Sequence, residues 1–485
     1  MPMRALFSSR SLLFATLLSG CAVGPDYHRP AMNAPARYMG DAAIAERQAA
    51  QPADLARWWE GFKDPLLTRL ITEAQSKNLD VAQAIARVTQ AKAGLNAATA
   101  ALLPSATIQA SAGHVRTSQD TPGGRVGQLL GASRDYDSYE GDVVAGWEID
   151  LFGGLRRGHA AAADDYQASE AGVIAARLAV AAQVADVYVA IRGLQERLAI
   201  ARDQVATQRK LVATVQLQYQ KGVAAELQLR QSEGVLAQVQ STVPVLETSL
   251  DAAMNAMDIL MGTQPGTFRP QLEAVGPIPV APSITSAGGP VDLLRRRPDL
   301  IVAERRLAAS NARIGQAISE YFPKFSLSGL LGTASAVGTG QLFTGSAVQA
   351  QGFAGLRWRL FDFGRVDAEV KAAKGANAEA LANYRLTVLR ASADVEDSFS
   401  ALVKREEQVR LLSSGETSLA RAREASEAAY KGGVVSLIEV LDADTRLLET
   451  RDQRAQAQTE VARAAISSFR ALGGGWEVPV SLAQN

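Results

Sequence analysis

The sequence predicts a mainly helical protein that also carries membrane-length β-strands and is built from one unit used twice. Three observations lead there. The chain matches itself at a fixed offset over more than a hundred residues. Four runs of alternating polarity are each ~10–13 residues long, the span of a tilted membrane strand. Two very long stretches, between Pro122 and Pro244 and between Pro323 and Pro479, contain no proline and keep helical periodicity.

The duplication organises everything else. At an offset of 211, Trp147 meets Trp358, Gly153 meets Gly364, Tyr219 meets Tyr430, Gly222 meets Gly433 and Gly262 meets Gly473. Upstream the offset is 219, where Asp80 meets Asp299 and Pro104 meets Pro323. A repeat this long is not a solenoid unit but half of a structure. The expected organisation is a signal segment at 1–20, a first repeat at 21–262, a linker at 263–290, a second repeat at 291–473 and a carboxyl segment at 474–485.

The amino terminus reads as a targeting segment. Arg4 and Arg10 precede the short apolar stretch Ser11 to Leu18, and Leu18-Ser19-Gly20-Cys21 follows. Small residues before a cysteine at the end of such a segment resemble a bacterial lipobox, with Cys21 as the acylated first residue of the mature chain. Several acyl chains, at ~0.8 kcal/mol per buried methylene, make a stable anchor. Ala22 in place of an aspartate favours the outer membrane. Beyond Cys21 no run of 18 apolar residues is found, so no transmembrane helix is expected.

Each repeat then runs from a helical segment to a proline, two alternating segments around a loop, and two long helices joined at a glycine turn. The strands are placed at about 105–118, 139–151, 324–335 and 351–361. In the second of these, Tyr139, Val143, Ala145, Trp147 and Ile149 alternate with Glu140, Asp142, Val144 and Glu148, giving one apolar and one mainly charged side. Four strands cannot close a barrel, and open edges cannot sit in lipid. A membrane-spanning sheet must therefore be shared between chains, with a polar face toward a water-filled lumen. The Gly-, Ser- and Thr-rich connections 119–138 and 336–350 read as exposed loops. From about Leu155 to Gln218 a helix of some 60 residues reaches ~90 Å, more than a globular core accommodates. The two glycine turns, around Gly222-Val223-Ala224 and Gly433-Val434-Val435, are either plain hairpin turns or exposed tips that dock on a partner.

Charge and motifs exclude other classes. The 50 basic and 50 acidic side chains cancel, so there is no basic excess for nucleic acid. One cysteine forbids an internal disulfide, and the three histidines show no zinc spacing. No cofactor or metal site is expected. No G-x-S-x-G, Walker A or H-E-x-x-H motif occurs, which argues against an enzyme. The triplet Arg295-Arg296-Arg297 is open to two readings, an anion-binding cluster and a solvated helix start, of which the second is favoured.

Several motifs together resemble the outer-membrane factor family of tripartite efflux systems, the TolC/OprM/NodT-like lipoproteins. They are the stretch Cys21 to Pro30, Trp58-Trp59 with Phe62 and Asp64-Pro65-Leu66, Leu294 to Asp299, Tyr321-Phe322-Pro323, Phe361 to Gly364, Val440 to Ala443, and Leu472 to Trp476. The resemblance implies a homotrimer with a shared twelve-stranded outer-membrane β-barrel and a periplasmic α-helical barrel. It implies a passive, gated exit duct for drugs or other small toxic molecules. The partners would be a periplasmic adaptor, an inner-membrane pump of RND type, and outer-membrane lipid through Cys21. It places adaptor docking at Gly222, Val223, Ala224, Gly433, Val434 and Val435. A closed periplasmic gate would involve a hydrophobic ring at Ile438, an acidic ring at Asp442, and Tyr219 and Tyr430. The first-half counterpart of Leu441-Asp442 is Arg230-Gln231, and Glu439 and Asp444 lie close by as other acids. A protein-secretion duct and a pore-less lipoprotein with helical stalks are the alternative readings.

Overall fold

The computed structural model describes residues 22–31, 37–40, 44, 54–282, 284 and 295–477. Cys21 lies outside them. The elements of the first half are α1 (Pro65–Lys77), α2 (Leu79–Ala100), β1 (Ser105–Arg116), α3 (Pro122–Leu129), β2 (Asp135–Ile149), α4 (Gly154–Gln220) and α5 (Glu226–Leu260). A short α6 (Arg269–Leu272) lies in the linker. The second half contributes α7 (Pro298–Ser319), β3 (Lys324–Ser335), β4 (Val348–Arg357), α8 (Arg365–Lys431) and α9 (Leu437–Ala471).

The repeat read from sequence recurs in the elements. Helices α4 and α8 are both 67 residues long, and α5 and α9 are both 35. Their positions differ by the same 211 that aligns the sequence. The punctuating glycines match in conformation, with φ of 81° and 88° at Gly153 and Gly364, 75° and 74° at Gly222 and Gly433, and 70° at both Gly262 and Gly473. Only glycine takes these values without strain, so each pair stops a helix or turns the chain at the same place.

By packing, the chain divides into two compact units that cut across the two sequence halves. One comprises Met1–Pro30, Thr89–Ala168 and Glu304–Asn383; the other comprises Ala31–Val88, Ser169–Ala303 and Tyr384–Asn485. Each unit takes matching pieces from both repeats.

The first unit holds an antiparallel sheet in the order β1-β2-β3-β4. β1 and β4 form its edges. The register sorts the side chains by face. Ile108, Val143, Leu331 and Ala350 share one cross-strand row, and Ile149, Phe325 and Leu356 share another on the same side. Gln109, Asp142, Gly332 and Gln349 form a row on the opposite side. The indoles of Trp147 and Trp358 donate to the carbonyls of Leu102 and Tyr321, each at 3.0 Å, which ties both halves of the sheet to the chain entering it. Beyond the sheet, Phe152 stacks on Phe322 at 4.6 Å, and Arg157 holds Asp26 at 2.8 Å.

The second unit is helical, with a core around Trp58, Trp59, Phe62, Tyr188, Met257, Phe399 and Phe469. Trp58 stacks on Phe469 at 5.4 Å. Asp64 caps α1 through the amides of Leu66 and Leu67, and its other oxygen accepts the Tyr188 hydroxyl at 2.7 Å. Burial and that carboxylate push the Tyr188 hydroxyl up to about 12. α4 contains an 18-residue window of mean hydropathy 1.6. By length and composition it passes for a membrane span, contrary to the sequence expectation. Half of that window is buried, and Val184, Val189 and Ile191 of this helix are fully buried in the core, so the window reads as a packed seam.

Three readings of the sequence need correction. β2 begins at Asp135, inside the expected loop, because Asp135 to Ser138 pair with Gly113 to Arg116 at the end of β1. The same connection holds α3, capped by Thr121, whose hydroxyl accepts the Gly124 amide at 3.2 Å. β4 spans Val348–Arg357 rather than 351–361, because β3 begins at Lys324 and offers no partner beyond Arg357.

Candidate functional site

The sheet has the dimensions of a membrane crossing. Its apolar face runs from Tyr139 to Ile149 on β2. That is ~33 Å along the strand, or ~25 Å of rise at a tilt of ~40°, which matches the apolar band of an outer-membrane barrel. Ile108 is 82% exposed and Leu331, Phe353 and Leu356 are each about 60% exposed. So large an uncovered apolar surface is not that of a protein face meant for water. Phe353 stands on the polar side, as do Val144 and Leu330, so the sorting of the faces is strong without being complete. On that side Asp142 reaches over β3 to accept the Gln349 amide at 2.8 Å. Gly332 leaves the room: a Cβ there would lie 2.0 Å from the Asp142 Oδ1 and 2.4 Å from the Gly141 carbonyl.

The two hairpin turns have the same construction. At the end of α4 the amide of Val223 donates to Gln218 O and that of Gly222 to Tyr219 O, both at 2.9 Å. At the end of α8 Val434 donates to Ala429 O and Gly433 to Tyr430 O, again at 2.9 Å. This is the Schellman arrangement, in which the residue after the glycine normally packs back onto the helix. Here Val223 and Val434 are 78% and 80% exposed. Ala224 and Val435 beside them are partly buried. Gln228 accepts the Ala225 amide at 3.1 Å to start α5; alanine has no side-chain acceptor to offer in return.

The gate candidates sit one to two turns into α9 and at the ends of α4 and α8. Ile438, Tyr219 and Tyr430 are partly to substantially exposed. Asp442 is exposed and carries its own counter-ion, Arg446, at 3.0 Å. Asp444 points inward instead: it accepts the Thr207 hydroxyl of α4 at 2.9 Å and lies 3.8 Å from Arg423 of α8. Glu439 is exposed. On α8 the Lys431 ammonium, with Arg423, holds the Glu427 carboxyl below its usual range.

One site was misread from the sequence. Arg297 is not solvated but only 9% exposed. It donates to Asp299 at 2.8 and 3.1 Å, to Asp394 at 2.9 Å, and to the carbonyls of Ala391 and Ala471 at 3.3 and 3.2 Å. Burial opposes its charge, yet the two carboxylates outweigh that and raise its pKa. It borders a cleft of about 630 Å³ together with Asp186, Arg405 and Arg463. Its repeat counterpart is Asn78, whose amide donates to the carbonyl of Leu260, the counterpart of Ala471, at 2.8 Å. Only this pairing through the repeat could have flagged Arg297 in advance.

Comparison with known proteins agrees with this geometry. Residues 70–263 and 289–474 match the family model described as outer membrane efflux protein. Outer membrane protein OprJ of Pseudomonas aeruginosa is 30% identical, over 98% of this chain and 97% of its own length. Nodulation protein T of Rhizobium leguminosarum bv. trifolii is 28% identical, over 97% of each. The solved structure of the outer-membrane channel OprN superposes with a TM-score of 0.83 at 30% identity, covering 94% of this chain and all of that one. The two matched stretches fall one on each half of the repeat. The chain belongs to the outer membrane efflux protein family and is an outer-membrane channel component of a Gram-negative efflux system.

Proposed function

We propose that this channel is a passive, gated exit duct for drugs or other small toxic molecules. Three copies close one barrel, and the hairpin tips dock on a periplasmic adaptor served by an inner-membrane pump of RND type. The observation that carries this reading is the pair of matching tips, each presenting a bare valine on a glycine that only glycine suits. Evolution of a mere turn gives no reason to keep that valine off the helix in both halves. The chain supplies the path and the pump supplies the energy. Above the tips, three copies of Asp442 gathered near a common axis repel one another, and their carboxylates favour cations over anions at the constriction.

Gly433→Trp tests the tips, with Asp442→Ala as the companion variant. Gly433→Trp is expected to cut adaptor crosslinking and drug export at least tenfold while leaving the conductance of the purified channel in place. Asp442→Ala is expected to weaken cation preference in planar bilayers without touching adaptor crosslinking. Unchanged crosslinking in the first, or unchanged ion preference in the second, removes the corresponding assignment.

Acylation of Cys21 supplies the lipid anchor in this reading. The mass of the mature chain should exceed that of residues 21–485 by the acyl groups, and an unmodified Cys21 overturns it.

A further inference from the structure

The two halves of the repeat differ at one place that leaves a hollow. A cavity of about 410 Å³ opens between α4, α8 and α9 and is bordered by the extended linker Pro277 to Ala281. Val409 and Val461 line it, with Glu196, Glu406 and Gln458 around them. At the offset of 211 the counterparts of the two valines are Leu198 and Leu250. Those leucines pack in one apolar cluster with Leu246 and fill the matching groove between α4 and α5. Each valine is one methylene shorter, and a packed interior relaxes only partly into such space. The charge differs too. The counterpart of Glu406 is Gln195, which is buried and donates to the Leu272 carbonyl at 2.7 Å. Glu406 has no amide to give and brings a carboxylate in its place.

We propose that this cavity binds a hydrophobic organic cation, an ammonium or phosphonium with an apolar body. The lining sets the class. Its walls are the two valines and the Pro277 to Ala281 stretch, the kind of apolar surface that small ligands bury. Its charged groups are Glu196 and Glu406, both half-buried carboxylates, and no lysine or arginine lines it. Two carboxylates at one apolar hollow create a negative potential that water screens poorly. An anion is repelled there, and a neutral ligand leaves the carboxylates uncompensated. A bare inorganic cation leaves the valines uncovered. An organic cation answers both features at once.

The hollow is built before any ligand arrives. Ile278 of the linker is seated on Ile200, Leu448 and Ala455, and Pro279 beside it is buried, so this wall is fixed on the helices. Val280, the next residue, is 82% exposed and has apolar surface left to cover. A preformed wall costs a ligand little ordering. The site shares no residue with the hairpin tips or the gate candidates, and it stands whether or not the chain works as a duct.

Tetraphenylphosphonium and tetraphenylborate share one shape and carry opposite charges, so together they separate charge recognition from apolar burial. Equilibrium dialysis of the purified full-length protein in a nonionic detergent should show saturable binding of the phosphonium, at least tenfold tighter than that of the borate. Glu196→Gln or Glu406→Gln should weaken phosphonium binding about fivefold, and the double change should erase the preference over the borate. Val409→Leu with Val461→Leu restores the residues of the first half and fills the hollow. That pair should remove saturable phosphonium binding without lowering the thermal midpoint. If the glutamine variants fail to fold, the leucine pair decides alone. Equal binding of the two ions overturns the ligand class. Phosphonium binding that survives the leucine pair, or no saturable binding to the parent chain, overturns the site.

Discussion

Replacing Arg297 by alanine is expected to lower the thermal midpoint of the purified protein by about 3 °C. The guanidinium is buried, and the change removes five hydrogen bonds to two carboxylates and two backbone carbonyls. Breaking a buried ion pair costs about 3–5 kcal/mol. Asp299 and Asp394 are roughly half exposed, so water recovers part of that for them and the low end applies. The carbonyl of Ala471, at the end of α9, has no such recourse where the arginine buries it. For a chain of 485 residues the unfolding entropy is about 1 kcal/mol per kelvin, so about 3 kcal/mol gives the stated shift. Circular dichroism at 222 nm during heating measures it. Arg295→Ala, on the exposed neighbour, should stay within about 1 °C of the parent; equal shifts for both would show that Arg297 has no special place. Arg297→Lys should not rescue, because an ammonium cannot reproduce the planar fork that serves both carboxylates.

Gly332→Val is expected to abolish assembly of the sheet, seen as a loss of at least 90% of the protein from the outer membrane. The reason is steric. The added Cβ would sit 2.4 Å from the Gly141 carbonyl and 2.6 Å from the Asp142 Cα, and backbone cannot step aside as a long side chain does. Overpacking in a core costs about 1–3 kcal/mol when side chains yield, and here β2 and β3 must part. Gly329, three residues earlier on the same strand, is the control. Its Cβ would lie 3.7 Å from the nearest atom, an ordinary contact, so Gly329→Ala should insert normally. Similar membrane levels for the two variants would sink the explanation.

Much of this architecture was legible because duplication is a long-range signal that survives in single residues. Matching glycines marked helix ends and turns, and the alternation of β2 separated its faces. What sequence missed depends on groups far along the chain. Arg297 reads as a surface charge until Asp394 and Ala471, 97 and 174 residues away, are brought against it. The start of β2 was hidden because Asp135 to Ser138 are polar, and only pairing with β1 makes them strand. β4 ran short of its expected end for the opposite reason, since the alternating pattern continues past Arg357 while β3 begins at Lys324. Among the candidate gate acids, Asp444 could not be told from Asp442 by spacing; Thr207 on another helix separates them.

The open edges of the sheet also bear on biogenesis. A chain whose first and last strands have nothing to bond cannot be inserted into lipid one molecule at a time. Insertion must wait for copies to meet, so its rate should climb more steeply than linearly with the amount of chain in the periplasm. A cell making little of this protein would then hold most of it unassembled and exposed to proteases. Doubling synthesis would more than double the number of working channels, so modest promoter changes would act on export with gain.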